Sequence, residues 1–213
     1  RMLERKKIVI VGCGNVAWHI AKQLQKKFDI FVFNHKANSL LADFKTEFKA
    51  QTHSSLKNIP VNAEAYFVCV NDASIPSVIK TLDKLSSTAP VLITSGNFDL
   101  SSVKTKLRGL SIFYPLQTFT KDDKIKWKET PIIIDAKNPA AILKARVIST
   151  HFNKNVIQLD HSQRLKIHLA AVLANNFTNS LLGEADKLAR SAKRDLGIEL
   201  LLPLIKQGTR KLK

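Results

Sequence analysis

Residues 7–24 read "KIVIVGCGNVAWHIAKQL": five residues that favour a strand, a Gly-x-Gly turn, and at once a helical pattern. Gly12 permits a sharp exit from the strand, Gly14 leaves the backbone open to close approach, and the small Ala17 lets the helix lie against the strand. The helix start then offers unpaired N–H groups and a partial positive charge. Two readings fit, a loop that cradles the pyrophosphate of a dinucleotide or a plain tight turn. The position at a first strand–helix junction supports the dinucleotide reading. On that reading Gly12, Cys13, Gly14, Asn15 and Val16 meet the cofactor.

Working outward, apolar runs recur at 7–11, 30–33, 65–70, 91–94, 110–114, 132–134 and 156–159. Most are continuous rather than alternating, as strands buried on both faces of a parallel sheet require. Helical patterns at 16–27, 39–48, 75–85 and 139–151 lie between several of them. Strand–helix alternation predicts a doubly wound, mostly parallel α/β sheet. From His161 to Arg194 there is no Pro and a single Gly, and Leu165, Leu169, Val172, Leu173, Phe177, Leu181 and Leu188 fall at helical spacing. That predicts a long helix, broken near Gly197, with a further helical piece after it. The expected division is a sheet domain over 1–159 and a small all-helical domain over 160–213. The ending "KQGTRKLK" comes after a segment that looks unfinished, so a truncated C-terminus is an expectation.

The chain of 213 residues suffices for one large domain with a smaller one. No run is long and apolar enough to span a bilayer, and the apolar stretch after the basic start breaks at Gly12, unlike a secretory signal. Cys13 and Cys69 sit in or beside strands at a spacing that fits neither a zinc site nor a disulfide framework. Buried thiols in a reducing cytoplasm are expected. The net charge of +17 comes from lysines spread along the chain, such as Lys6-Lys7 and Lys26-Lys27, with no aromatic-interleaved basic motif. A solvated surface is favoured over a specific nucleic-acid partner, and no membrane partner is expected. No metal, hydrolase-elbow or nucleoside-triphosphatase spacing occurs.

The end of the second apolar run reads "FVFNHKANS", without the acid that bonds an NAD ribose. Asn34, His35 and Lys36 stand there instead and suit a 2′-phosphate, so NADP(H) is favoured over NAD(H). The bland reading of Lys36 is a solvated loop lysine. Ligands gather beyond the carboxyl ends of parallel strands. Val70, Asn71, Asp72 and Ser95 are therefore expected near the cofactor, and Gly96, Tyr114, Pro115 and Gln117 near the substrate. Simple loops with helix caps are the alternative. In the long helix, His168, Asn175 and Asn179 stand at i, i+7 and i+11 of one face, with Asn176 beside them. A histidine there suits proton transfer near neutral pH and an asparagine suits holding a substrate oxygen. A hydrogen-bond network at an interface fits the same stripe.

The stretches "IVIVGCGNVAWHIAKQL", "ITSGNFDL", "FYPLQTF" and "RLKIHLAAVLANNFTNSL" together resemble an uncharacterised bacterial family. Its members have a Rossmann-like NADP-binding domain followed by a helical domain of unknown function. The family is similar to a wider set that holds pyrroline-5-carboxylate reductase, ketopantoate reductase, and the 6-phosphogluconate and 3-hydroxyisobutyrate dehydrogenases. The resemblance covers nearly the whole chain. It implies NADP binding, hydride transfer with a small carbonyl/hydroxyl or imine/amine substrate, and a homodimer through the helical domain. The hydroxyacid-dehydrogenase branch carries a Lys and an Asn one turn apart on its long helix. Here Lys166 is followed by Ala170 and His168 by Val172, so only His168 with Asn175 approaches that pair. A non-catalytic NADP-binding sensor or scaffold therefore stands as the alternative to an oxidoreductase.

Overall fold

The computed structural model describes residues 5–85 and 88–210. It divides into two units, residues 1–165 and 166–213. In the first, β1 (Lys7–Val11), β2 (Asp29–Phe33), β3 (Gln51–His53), β4 (Ala65–Val68), β5 (Val91–Ile93), β6 (Leu110–Pro115), β7 (Ile132–Ala136) and β8 (Val156–Gln158) form one sheet. The strand order is β3-β2-β1-β4-β5-β6-β7-β8. All pairs are parallel except β6 with β7. This is a Rossmann-like, mostly parallel sheet. Its order reverses between β1 and β4, which opens a crevice beyond their carboxyl ends.

The continuous apolar runs account for the layering. Alternate residues of one strand serve opposite faces. Ile8, Ile10 and Phe67 pack under Ile20 and Leu24 of α1 (Asn15–Leu24), Phe44 and Phe48 of α2 (Ser39–Phe48), and Ile148 of a later helix. Val9, Val68 and Ile112 pack under Val78 and Leu82 of α3 (Ile75–Leu82) and under Phe98, Leu100 and Leu107 of the β5–β6 connection. The later helix is α4 (Pro139–Ser149), started by Asn138, whose side chain accepts from the Ala141 N–H. No α-helix lies between β6 and β7, only a short 3-10 turn at Trp127–Glu129. A parallel return needs a crossover, so β7 comes back antiparallel. The strand β3 goes beyond the apolar runs: Gln51–His53 is a short polar edge strand, joined to β2 by backbone pairing and by the His53 ring stacked on Phe33 at 4.5 Å.

α5 (His161–Ala171) begins in the first unit, and its Arg164 is fully buried. In the second unit the expected long helix continues through a π-helical turn at Val172–Phe177 into α6 (Thr178–Ala192). A break precedes α7 (Ile198–Arg210), and it falls around Gly197. Asp186 Oδ1 accepts from the Ile198 N–H at 2.7 Å and so caps the new start.

The end of α4 carries a pH-dependent element. The His151 ring meets Phe28 edge-on at 5.1 Å. Burial first, and then the charge of Lys27, lower its pKa below the usual 6.5. The unfolded chain therefore takes up this proton before the folded one does. Stability from this site is full above pH ~6.5 and is lost as pH falls through the lowered value. Urea unfolding at stepped pH is expected to show a decline below that point, which His151→Gln flattens. An identical slope in the variant removes His151 from the effect.

Candidate cofactor-binding and active site

The Gly-x-Gly turn sits at the sheet's reversal point. Gly12 donates its N–H to the Phe33 carbonyl at 2.8 Å. Its φ is +105°, and a Cβ there would lie 2.2 Å from the Cys69 carbonyl oxygen. Only glycine fits such a backbone at such a distance. Gly14 differs: it is extended, and a Cβ would meet nothing within 4 Å. Gly14 is the N-cap of α1, with no side-chain cap and no acid in the first turn. The first N–H groups of α1 are left for an anion.

Seven of the expected cofactor residues line one cleft of about 460 Å³: Gly12, Cys13, Gly14, Asn34, His35, Val70 and Asn71. Leu56, Val70 and Val78 give it apolar wall. Asn38 also lines it and was missed in the sequence. The Asn38 Oδ1 accepts from the Leu41 N–H at 2.8 Å, and its Nδ2 reaches the Cys13 sulfur at 3.4 Å. It thereby ties the loop after β2 to the glycine turn. An Asn just before an apolar helix is an N-cap signal that could have found it. Asn34 is buried and donates from Nδ2 to the Lys36 carbonyl at 2.9 Å, which shapes the loop that exposes His35 and Lys36.

The remaining expected residues are not among those that line this cleft. The Asn15 amide is engaged outside it, donating to the Phe119 carbonyl at 3.0 Å. Buried His19 meets the Thr120 carbonyl at 2.7 Å, and Lys121 lies over Trp18 while pairing with Asp43. The connection after β6 thus clamps α1. Val16 packs on the core of that face. Asp72 opens a 3-10 turn that Asn71 caps by accepting from the Ser74 N–H at 3.0 Å. Ser95 accepts from the Asn97 N–H at 3.2 Å. Gly96 packs under the Tyr114 ring, where a Cβ would come within 2.6 Å of Cε1. Pro115 is buried at the end of β6, and the Gln117 side chain accepts from the Thr118 N–H at 3.0 Å. Desolvation pushes the Cys69 thiol up to about 12, against the opposing Thr94 hydrogen bond, so the thiol stays protonated. Burial also raises Tyr114, which keeps its phenolic proton at neutral pH.

The helical stripe is described within the second unit. Asn179 donates to Asn175 Oδ1 at 3.4 Å, and Asn175 donates to Asn176 Oδ1 at 3.1 Å. The π-turn at Val172–Phe177 separates His168 from Asn179. A π-turn takes one extra residue per turn, which rotates the residues after it by about 100° from their places on a regular α-helix. Asn175 lies within this turn and is joined to Asn179, so the i, i+7, i+11 spacing is here not that of a regular α-helix.

Among the described residues no group of three His, Cys, Asp or Glu could hold a metal ion, and no helix is long and apolar enough to cross a membrane. Residues 7–97 match the family described as "NADP oxidoreductase coenzyme F420-dependent", and residues 130–213 match "Domain of unknown function (DUF2520)". No curated protein matches the sequence. A solved structure of a proposed NADP oxidoreductase from Bacteroides fragilis is 26% identical, with a TM-score of 0.83 over 98% of this chain and 80% of its own. A reductive aminase from Aspergillus terreus, solved with NADPH, shares the fold at 17% identity and a TM-score of 0.68 over 98% of this chain and 74% of its own. So does a pyrroline-5-carboxylate reductase from Coxiella burnetii, at 18% identity and a TM-score of 0.68 over 98% and 78%. The chain is thus similar to one family over its N-terminal part and to a second over its C-terminal part.

Proposed function

We propose that the protein is an NADP(H)-dependent oxidoreductase acting on a small carbonyl/hydroxyl or imine/amine substrate. The observation that carries this is the uncapped start of α1 under Gly14, opening on a cleft whose β2 end presents His35 and Lys36 and no acid. The cofactor is NADP(H). The glycine turn and α1 hold the pyrophosphate by backbone N–H groups. The loop at 34–36 receives the 2′-phosphate, with Asn38 keeping that loop in place. Leu56, Val70 and Val78 suit the flat adenine. When bound, the nicotinamide supplies or accepts the hydride.

In this reading Asn71, Asp72 and Ser95 border the ribose and nicotinamide, and Gly96, Tyr114, Pro115 and Gln117 border the substrate. His168 donates or accepts the substrate proton, and Asn175 and Asn179 orient the substrate oxygen or nitrogen. Leu173, Leu181, Leu188, Leu200 and Leu204 stand largely exposed in the second unit, which suits burial against a second copy. The free thiols of Cys13 and Cys69 suit a reducing cytoplasm.

Fluorescence titration of the native protein, which contains Trp18 and Trp127, tests the reading. NADPH is expected to bind at least about tenfold more tightly than NADH. With a carbonyl or imine substrate found by screening, His168→Ala is expected to lower turnover about a hundredfold and leave NADPH affinity unchanged. Binding of neither cofactor overturns the reading. NADPH binding without turnover on any carbonyl or imine leaves the sensor or scaffold alternative.

A further inference from the structure

Arg164 is 0% exposed and is the largest fully buried side chain among the described residues. Burying a guanidinium is costly unless its donors are met. All five N–H groups of this one find an acceptor. Nε donates to the Gly96 carbonyl at 3.1 Å, and Nη1 donates to Asp135 Oδ2 at 2.6 Å and to the Leu159 carbonyl at 3.4 Å. Nη2 donates to the Phe98 carbonyl at 2.7 Å and faces His161 Nδ1 at 3.3 Å, which accepts because arginine carries no lone pair.

Two of these acceptors belong to the turn after β5. It begins at Thr94, whose N–H and hydroxyl both donate to the Val68 carbonyl, at 3.2 and 3.1 Å. Val68 is followed directly by Cys69, a wall of the cleft. Two residues on from Thr94, Gly96 carries the Tyr114 ring so closely that a Cβ would stand 2.7 Å from Cζ, the carbon bearing the hydroxyl. One physical chain therefore runs from the cleft wall through Thr94 and Gly96 to the Tyr114 phenol, with the buried guanidinium behind it. A lysine has three donors and no planar fork, so it cannot meet the same five partners.

We propose that Arg164 is a positioning residue of the site: it fixes the Gly96 turn, and through it the Tyr114 ring, at the end of the cleft that takes the nicotinamide half of the cofactor. The assignment rests on the NADP(H) reading above. The full chain contains two tyrosines, Tyr66 and Tyr114, so incorporated fluorotyrosine reports them as two fluorine NMR signals. The native protein, Arg164→Lys, Asp135→Asn and Gly96→Ala are compared by this spectrum and by titration with NADPH and with adenosine 2′,5′-bisphosphate. That fragment has no nicotinamide half.

The expected result is a shifted Tyr114 signal with Tyr66 unmoved in Arg164→Lys. NADPH affinity should fall about tenfold while bisphosphate affinity stays within about twofold. Asp135→Asn weakens the one charged partner of Arg164 without touching the Gly96 turn or Tyr114 and should give the same pattern more weakly, which keeps the question open to decision if Arg164→Lys does not fold; Gly96→Ala, whose Cβ meets the ring directly, calibrates the signal of a displaced Tyr114. An unmoved Tyr114 signal in the folded variants overturns the proposal. So does a parallel loss of both ligands, which marks Arg164 as a general structural clamp, and so does native NADPH affinity beside a shifted signal. If the native protein binds neither ligand, the cofactor reading fails, and with it the role at the nicotinamide half; the fluorine spectrum still reports whether Arg164 positions Tyr114.

Discussion

Gly12→Ala is expected to lose both fold stability and NADPH binding, whereas Gly14→Ala should lose binding alone. The two glycines stand two residues apart and differ in what surrounds them. At Gly12 a methyl group would sit 2.2 Å from a backbone carbonyl oxygen and on a backbone with φ +105°. The backbone of Cys69 belongs to the central β1–β4 pairing and has little room to give: its N–H already donates to the Val11 carbonyl. A disallowed φ and a forced core shift together cost about 3 kcal/mol or more. For a chain of this size that lowers the thermal midpoint by about 10 °C. At Gly14 a methyl group meets no protein atom within 4 Å. It would occupy the space through which a pyrophosphate approaches α1, so affinity for NADPH should fall at least about tenfold with the midpoint nearly unchanged. Calorimetry beside titration separates the two effects. Native NADPH affinity in a folded Gly14→Ala would mean that no pyrophosphate passes there.

Reversing the charge at Lys36 should decide cofactor choice. Lys36 is exposed, and its carbonyl is held by buried Asn34, so the loop keeps its shape when the side chain changes. A glutamate there would face the doubly charged 2′-phosphate. Like-charge juxtaposition of this kind costs on the order of 2 kcal/mol, about thirtyfold in affinity. Lys36→Glu should therefore weaken NADPH about thirtyfold, spare NADH, and show a penalty that shrinks as salt is raised. Equal affinities in native and variant protein would return Lys36 to the solvated surface.

Much of the first unit was legible because its signals are local. Continuous apolar runs announced strands buried on both faces, and Val9, Ile10, Phe67 and Val68 are indeed enclosed. The glycine spacing is a backbone requirement, so it shows in residue identity alone. β3 left no such signal. Gln51–His53 is polar and lies at an edge, held by backbone pairing and by the stacking of His53 on Phe33, a partner only the fold supplies. Asn38 was written in the chain as an N-cap, yet its second role, reaching Cys13, depends on two loops that only the fold brings together.

By itself, then, the sequence determined the α/β class, the strand–turn–helix at residues 7–24 and the absence of an acid after β2, each carried by neighbours within a few positions. Tertiary structure alone decided the rest. It turned β7 antiparallel for want of a crossover helix, set a π-turn between His168 and Asn179, and sank Arg164 among acceptors from residues 96, 98, 135 and 159. An isolated arginine in a polar helical turn reads as a surface residue. What makes it a buried clamp is the convergence of backbone carbonyls separated by tens of residues, and no local pattern encodes that.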